Sequence, residues 1–221
     1  MELQGKKAAF IGDSITHGVG VSDWKKLYMF RLEEMAGLSE VQNCGLCGTR
    51  IARQRKPSPP EFSYWDDDFC KRVEDIDGDA DIIVVFGGTN DFGHGDAPLG
   101  TPDDRTPDTF WGACHYLMNR LLERFLGKTI VIMTPLHCSS EDNHKVIEEN
   151  GDRVVTLSTY VEIIKAVAAW YALPVLDLHT LSGIQPRVPL LAEAYCPDGL
   201  HPNDAGHERI ANLLYHFLLN L

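Results

Sequence analysis

Short apolar runs alternate along this chain with longer segments of helical periodicity. Residues 81–86 (Asp-Ile-Ile-Val-Val-Phe) and 129–133 (Thr-Ile-Val-Ile-Met) are apolar and rich in β-branched side chains at consecutive positions. That pattern is typical of strands that are covered on both faces. Together with the weaker runs, it predicts five strands at about residues 7–11, 40–43, 81–86, 129–133 and 174–177.

The segments between these strands predict helices. One begins at the capping residue Ser22 and stops before Gly37, and another stops before Gly127. The predicted helices cover about residues 22–35, 66–76, 107–126, 154–171 and 203–219. Strands that alternate with helices predict a parallel sheet with right-handed crossovers, hence an α/β protein with three α/β/α layers. We expect one domain over residues 1–221.

Three stretches, about residues 92–106, 135–152 and 178–197, are predicted as long loops. They lie on the edge of the sheet where the strands end, which is where ligands bind in such sheets. Their polar residues favour a polar substrate over a long acyl tail. These residues are Asp96, Asp103, Asp104, Arg105, Glu141, Asp142 and His144.

The charge balance restricts the partners that we expect. The chain has 20 basic and 32 acidic residues and a net charge of -12. This argues against nucleic-acid and anionic-membrane partners and leaves a small molecule as the expected ligand. No apolar run approaches the ~18–20 residues that span a bilayer, and no signal peptide precedes the first strand, so we expect a cytoplasmic protein. The sequence does not determine the oligomeric state, and a homo-oligomer is compatible with it.

The sequence predicts neither a cofactor nor a metal ion. It contains no P-loop, no His-Glu-x-x-His and no Gly-x-Gly-x-x-Gly fingerprint. The six cysteines are expected to be reduced thiols. Cys44 and Cys47 form a Cys-x-x-Cys pair. Such a pair is either a metal or redox site or two small residues that pack in a tight loop, and we favour the second interpretation.

Candidate chemistry lies at both ends of the chain. Gly12-Asp13-Ser14 follows the first strand, where a serine is either a turn or cap residue or a nucleophile. Asp198 and His201 are three residues apart before the last helix, so one turn can hold an acid and an imidazole. The alternative, purely structural interpretation is a capped turn with a surface histidine. Together the three residues supply the parts of an acyl-transfer site.

Two further strand ends carry groups that could stabilise an oxyanion. Asn90 follows the third strand and is either a turn former or a side-chain amide donor. After the second strand, Gly45 and Gly48 both let the backbone approach a ligand closely. Six other residues are candidates for the pocket, although the two acids are expected to hydrogen-bond loop backbone: Asp13, His17, Asp91, His94, His137 and His179.

These segments, in this order, resemble the SGNH hydrolases, also called the GDSL esterase/lipase family. The resemblance rests on residues 12–16, 43–49, 87–90 and 198–201 and so spans nearly the whole chain. The first segment reads Ser-Ile where the family name has Ser-Leu. The resemblance implies a flavodoxin-like sheet of five parallel strands, Ser14 as nucleophile, His201 as base and Asp198 as its orienting acid. It also implies an oxyanion hole formed by the backbone N–H groups of Ser14 and Gly48 and the side chain of Asn90.

The expected function is serine-dependent hydrolysis of a carboxylic ester, with a short acyl group such as acetyl on a polar or carbohydrate-like alcohol. A lysophospholipase or thioesterase activity is the nearest alternative. A ligand-binding protein with an inert site on the same fold is a second alternative, and a flavodoxin-like flavin binder is a weaker third. The chain lacks the Gly-x-Ser-x-Gly elbow of α/β-hydrolases.

Overall fold

The computed structural model describes residues 1–149 and 151–221, with the side chains of 147–149 and 151–153 left out of the description. Its strands are β1 (Lys7–Gly12), β2 (Glu40–Gly45), β3 (Ile82–Phe86), β4 (Thr129–Met133), β5 (Lys145–Glu149), β6 (Gly151–Val155) and β7 (Val175–Leu176). Its α-helices are α1 (Ser14–His17), α2 (Tyr28–Ala36), α3 (Phe69–Arg72), α4 (Thr89–Gly93), α5 (Phe110–Arg124), α6 (Leu157–Trp170), α7 (Leu178–Leu181), α8 (Pro189–Tyr195) and α9 (Asp204–Leu219). Three 3₁₀ helices cover Trp24–Lys26, Pro60–Asp66 and Val73–Asp75.

Five strands form one parallel sheet in the order β2-β1-β3-β4-β7. All five residues of β3 are buried, because helices cover both faces of the sheet. Ala9 and Ile11 of β1 pack on the face that also holds α5 and α6, and Ala8 and Phe10 pack on the face of α2 and α9. The predicted three-layer α/β/α architecture with a five-stranded parallel sheet is confirmed.

The structure changes several predicted boundaries. The helix predicted from Ser22 begins at Tyr28, because Leu27 has extended backbone angles and separates it from the 3₁₀ helix Trp24–Lys26. The helix predicted at 66–76 is divided into 3₁₀ and α segments. The last predicted strand is short, since only Val175 and Leu176 pair with β4.

Two of the predicted loops contain regular structure. The segment 135–152 was expected to be irregular, but β5 and β6 pair there as an antiparallel hairpin outside the main sheet. As a result, the helix predicted from residue 154 begins at Leu157. The segment 178–197 contains α7 and α8. Within residues 1–149 and 151–221, no helix has the length and apolar character needed to cross a bilayer.

Candidate active site

The carboxyl ends of three neighbouring strands define the site. Gly12 at the end of β1 is opposite Gly45 of β2 and Phe86 of β3. The loop after β2 turns directly beside this point, because the Leu46 N–H donates to the Gly12 carbonyl oxygen at 3.1 Å. The segments that begin at Asp13, Leu46 and Gly87 therefore leave the sheet side by side.

Ser14, His201 and Asp198 form one chain of hydrogen bonds. Ser14 Oγ lies 3.0 Å from His201 Nε2, and His201 Nδ1 lies 2.7 Å from Asp198 Oδ2. Ser14 and His201 are 187 positions apart in the sequence, and the fold brings them into contact. A hydroxyl beside an imidazole that a carboxylate orients is the arrangement that activates a serine nucleophile.

Local backbone contacts hold Asp198 in place. Its Oδ1 accepts hydrogen bonds from the backbone N–H groups of Leu200 at 2.8 Å and His201 at 2.7 Å. Partial desolvation raises the pKa of Asp198, but these bonds and the contact with the His201 ring outweigh it, so that the pKa lies below its usual value. The carboxylate is therefore ionised at neutral pH and able to stabilise an imidazolium.

The start of α1 fixes Ser14. Asp13 caps this short helix by accepting a hydrogen bond from the Ile15 N–H at 3.0 Å. Asp13 is buried, and desolvation raises its pKa to about 6. Gly45 lies against the same helix, since a Cβ at this position would be 2.3 Å from the His17 nitrogen. Only a residue without a side chain fits between β2 and α1.

Gly48 lies against an aromatic side chain. Its φ of +72° falls in the left-handed region, and a Cβ there would be 2.0 Å from Trp65 Nε1. Trp65 stacks on Phe62, with ring centroids 4.5 Å apart and 16° between the planes. We call Phe62 and Trp65 the aromatic shelf. Buried Arg50 holds the shelf segment by donating to the Trp65 carbonyl oxygen at 3.1 Å.

Asn90 has a defined amide orientation. Its Nδ2 donates to the Thr49 carbonyl oxygen at 3.1 Å, and its Oδ1 lies 3.2 Å from His94 Nε2. His94 Nδ1 lies 3.4 Å from Arg50 Nη1, which can only donate, so His94 accepts at Nδ1 and donates at Nε2. Partial burial and the Arg50 and Lys145 cations lower the pKa of His94, which favours this neutral form.

The Asp91 carboxylate connects two segments of the site and bonds to backbone, not to Ser14. Its two carboxylate oxygens accept from the backbone N–H groups of Ile51 and Ala52, each at 2.9 Å. Burial raises the pKa of Asp91 to about 6. Lys145 of β5 donates to the Asp91 carbonyl oxygen at 2.6 Å and also to Gly95, and burial lowers the pKa of Lys145 to about 8. The β5–β6 hairpin is thereby attached to the loop after β3.

A buried arginine ties the strand ends together. Arg72 of α3 donates to the carbonyl oxygens of Asp67 at 2.9 Å, Cys44 at 2.5 Å and Gly12 at 3.0 Å, and to Thr49 Oγ1 at 2.8 Å. Desolvation lowers the pKa of this guanidinium. The bonds connect the ends of β1 and β2 with the loop that contains Gly48.

The other predicted pocket residues are placed as follows. His17 is exposed, and its Nδ1 lies 3.1 Å from the Gly45 carbonyl oxygen. His137 and His179 contact each other at the ends of β4 and β7, with ring centroids 3.8 Å apart. Several loop acids that were expected to favour a polar substrate are bound within the protein. Asp96 accepts from the Arg55 N–H at 2.7 Å, and Asp104 accepts from Thr109 Oγ1 at 2.8 Å.

Sequence reasoning missed Arg50, Trp65, Arg72 and Lys145. Arg72 and Lys145 bond mainly to backbone carbonyl oxygens, Arg50 forms an ion pair with Asp66, and the Trp65 ring stacks on Phe62. No spacing or periodicity reveals these tertiary contacts. For Trp65, the only signal was the cluster Phe62-Ser-Tyr-Trp65 in a segment without strand or helix periodicity.

The chain is similar to a known protein family over most of its length. The model of the GDSL-like Lipase/Acylhydrolase family matches residues 10–209. No curated protein matches the chain.

Solved structures with the same fold are also found. A protein from Lactobacillus plantarum is 31% identical with a TM-score of 0.81, and the match covers 98% of each chain. A possible lipase from Chitinophaga pinensis is 20% identical with a TM-score of 0.63, covering 97% of this chain and 98% of that one. A two-domain esterase active on acetylated mannans is 19% identical with a TM-score of 0.60, covering 99% of this chain and 50% of that one.

Proposed function

The chain belongs to the GDSL-like lipase/acylhydrolase family, and from this premise we propose that it is a serine-dependent carboxylic ester hydrolase that works through an acyl-enzyme. The observation that carries the proposal is the hydrogen-bonded chain from Ser14 Oγ through His201 to Asp198. Serine hydroxyls are weak nucleophiles unless a base takes their proton, and His201 is at hydrogen-bonding distance for that transfer.

In the first half-reaction, Ser14 Oγ attacks the acyl carbonyl carbon while His201 Nε2 takes the hydroxyl proton. The tetrahedral intermediate collapses, the alcohol leaves with the proton from His201, and the acyl group stays on Ser14. In the second half-reaction, His201 takes a proton from water, the hydroxide attacks the acyl-enzyme, and Ser14 recovers its proton as the acid leaves. Asp198 stays ionised throughout and stabilises the imidazolium.

The proposed oxyanion hole consists of the backbone N–H groups of Ser14 and Gly48 and the side-chain amide of Asn90. An amide nitrogen carries two hydrogens, and the Asn90 Nδ2 contact with Thr49 uses one of them. The other is free to face an oxyanion. Removal of one such donor typically lowers turnover by about 10²–10³-fold, so we expect that loss in Asn90→Ala.

The aromatic shelf supports a sugar-like alcohol as the leaving group. Trp65 lies directly against Gly48 and also contacts the His94 ring, with centroids 4.4 Å apart, so a substrate whose carbonyl oxygen reaches Gly48 has both rings nearby. Flat aromatic faces with adjacent polar groups suit the mixed apolar and polar surface of a sugar ring. One structural neighbour acts on acetylated mannans, which makes acetylated sugars the first natural substrates to test.

A longer acyl chain is the second candidate, and one observation favours it. Leu190 of α8 is 74% exposed and Val188 before it is 45% exposed, and both precede the loop that contains Asp198. Such side chains suit a lipid or thioester tail. A series of p-nitrophenyl esters from C2 to C12 separates the candidates: a preference for C2 supports the short-acyl proposal, and a preference for C8 or longer contradicts it.

The central test is Ser14→Ala with p-nitrophenyl acetate as substrate. We expect turnover to fall by at least about 10³-fold while the circular dichroism spectrum and Tm stay unchanged. Ser158→Ala is the matched control, because Ser158 is exposed and its hydroxyl bonds to the Thr156 hydroxyl at 2.8 Å, far along the chain from Ser14. Near-wild-type turnover in Ser14→Ala would exclude Ser14 as the nucleophile.

Covalent labelling separates an enzyme from a binding protein on the same fold. A fluorophosphonate should add one label to the wild-type chain and none to Ser14→Ala, as measured by intact mass spectrometry. A wild-type chain that takes up no label would favour the ligand-binding alternative.

A further inference from the structure

A compact group of metal-ligating side chains lies at the ends of β4 and β7. His137 follows β4, Glu141 lies four residues later, and His179 is the second residue of α7. One ligand atom from each side chain lies within 4.8 Å of the others. Among the residues that the structure describes, no other group of three or more His, Cys, Asp or Glu side chains brings its ligand atoms this close together.

The geometry points to a binding site for a divalent transition-metal ion of the zinc class, formed by the imidazoles of His137 and His179 and the carboxylate of Glu141. Two imidazoles and one carboxylate are a donor set that binds Zn²⁺ with an open fourth position. The proposal goes beyond ester hydrolysis and does not depend on it.

The carboxylate is already in place for such a site. Glu141 is 6% exposed, and its Oε2 lies 2.6 Å from His137 Nδ1. The two imidazole rings lie against each other with centroids 3.8 Å apart. Ligand atoms about 2.1 Å from a tetrahedral ion are about 3.4 Å apart, so closing this group on an ion takes side-chain shifts of roughly an ångström.

His179 supplies a second, independent observation. Its Nδ1 is buried and makes no hydrogen bond among the described residues, although the Pro135 backbone lies close enough to the ring to act on its pKa. A buried imidazole nitrogen without a partner is costly, because it has lost its water and gained nothing in exchange. A metal ion would use the lone pair of this nitrogen.

One cation competes for the carboxylate. Arg187 Nε lies 3.3 Å from Glu141 Oε1, and Arg187 also contacts Asp142. Its side chain is 43% exposed, so it can turn away to solvent at small cost. This contact gives the proposal a specific consequence: removal of the Arg187 charge should strengthen metal binding, whereas it would weaken a cluster held together only by ion pairs.

The site would brace the loop that contains the acid of the active site. The Ser139 N–H, between His137 and Glu141, donates to the Gly199 carbonyl oxygen at 2.8 Å. Gly199 follows Asp198 directly, and a Cβ at Gly199 would be 2.6 Å from Ser139 Oγ. An ion at the proposed site would therefore hold residues 137–141 against this loop.

The test is a Co²⁺ titration of the full chain after treatment with a chelator, followed by visible absorption, with Zn²⁺ competition and equilibrium dialysis for stoichiometry. We expect one ion per chain and d–d bands without a thiolate charge-transfer band. His179→Gln and Glu141→Gln each remove a proposed ligand and should each weaken binding by more than the roughly 10–100-fold that loss of an outer-shell partner costs. Arg187→Gln should tighten it several-fold.

His216→Gln is the matched control, because His216 is an exposed histidine outside the group, and it should leave binding unchanged. Three results would overturn the proposal: no ion bound to the wild-type chain, binding that survives both His179→Gln and Glu141→Gln, or a thiolate band, which would show that cysteines bind the ion. None of these readouts requires ester hydrolysis, so they are independent of the proposed enzyme activity.

Discussion

Replacing Arg72 with methionine tests whether one buried guanidinium holds the strand ends of the site together. Methionine keeps an unbranched, flexible side chain that can fill the same space, so the change removes mainly the hydrogen bonds and the charge. Arg72 is 8% exposed, and its hydrogen bonds within the described residues go to three carbonyl oxygens and one hydroxyl. Its guanidinium also lies over the Phe69 ring, with Cζ 4.8 Å from the ring centroid.

The expected cost follows from the four hydrogen bonds. Each bond from a charged donor contributes about 1.5–3 kcal/mol, so their loss removes about 6–12 kcal/mol. These four bonds share one guanidinium, so their contributions are not additive and the sum is an upper limit. The net loss in the free energy of unfolding is about 3–5 kcal/mol, which corresponds to a decrease in Tm of about 10 °C for a chain of this length.

Urea denaturation, followed by circular dichroism, measures this loss. Arg72→Lys should fall between wild type and Arg72→Met, because an ammonium keeps the charge but cannot match the planar set of donors. Arg120→Met is the control: Arg120 makes a surface ion pair with Glu74 at 2.6 Å, and its loss should cost less than about 1 kcal/mol. If Arg72→Met unfolds within about 1 kcal/mol of wild type, the reasoning about buried charge is wrong.

Three further predictions concern the acid, a buried histidine and a close contact. Asp198→Ala should lower kcat for p-nitrophenyl acetate by about 10³–10⁴-fold with little change in Tm; a loss below tenfold would contradict the role of Asp198. Burial lowers the pKa of His207 to about 4, so the unfolded chain binds more protons between pH 6.5 and 4, and stability from neutral His207 declines as pH falls through that range. The free energy of unfolding of wild type, measured against His207→Gln at each pH to cancel other groups, should decrease by up to about 3 kcal/mol; a constant difference would show that the pKa is not lowered. Gly45→Ala should destabilise the fold by at least about 2 kcal/mol in urea, because its Cβ would be 2.3 Å from backbone, whereas Gly78→Ala, with nothing within 4 Å, should change it by less than about 0.5 kcal/mol; equal effects would contradict the contact.

The sheet was predictable from the sequence because both of its faces are buried. β3 and β4 are unbroken apolar runs, and this signal needs no knowledge of the partner strands. The order of segments then placed Ser14 and Asn90 at strand ends. The β5–β6 hairpin gave a weaker signal, because Val146 and Val154 are 55% and 57% exposed although they are apolar.

The contacts that orient the candidate site were not predictable. Arg50 and Arg72 look like any other arginine in the sequence. The burial of Arg50 depends on the Asp66 carboxylate, 2.9 Å away, and that of Arg72 on carbonyl oxygens that the folded loops bring together. The same holds for the orientation of Asn90, which depends on His94 four residues later and on Arg50 forty positions earlier. Local patterns identify which residue types are available, whereas the tertiary contacts decide how each is held.

The short separation of Asp198 and His201 has a consequence for how such a site can evolve. Because both residues belong to one turn, and the acid is bonded to the backbone N–H of the base, they move as a rigid pair. Insertions in the segments before Asp198 can shift the pair, but they cannot separate the Asp198 carboxylate from the His201 imidazole. Natural variation in the surrounding loops therefore has to preserve one adjustable distance, the 3.0 Å between Ser14 and His201, which leaves those loops free to diversify with the substrate.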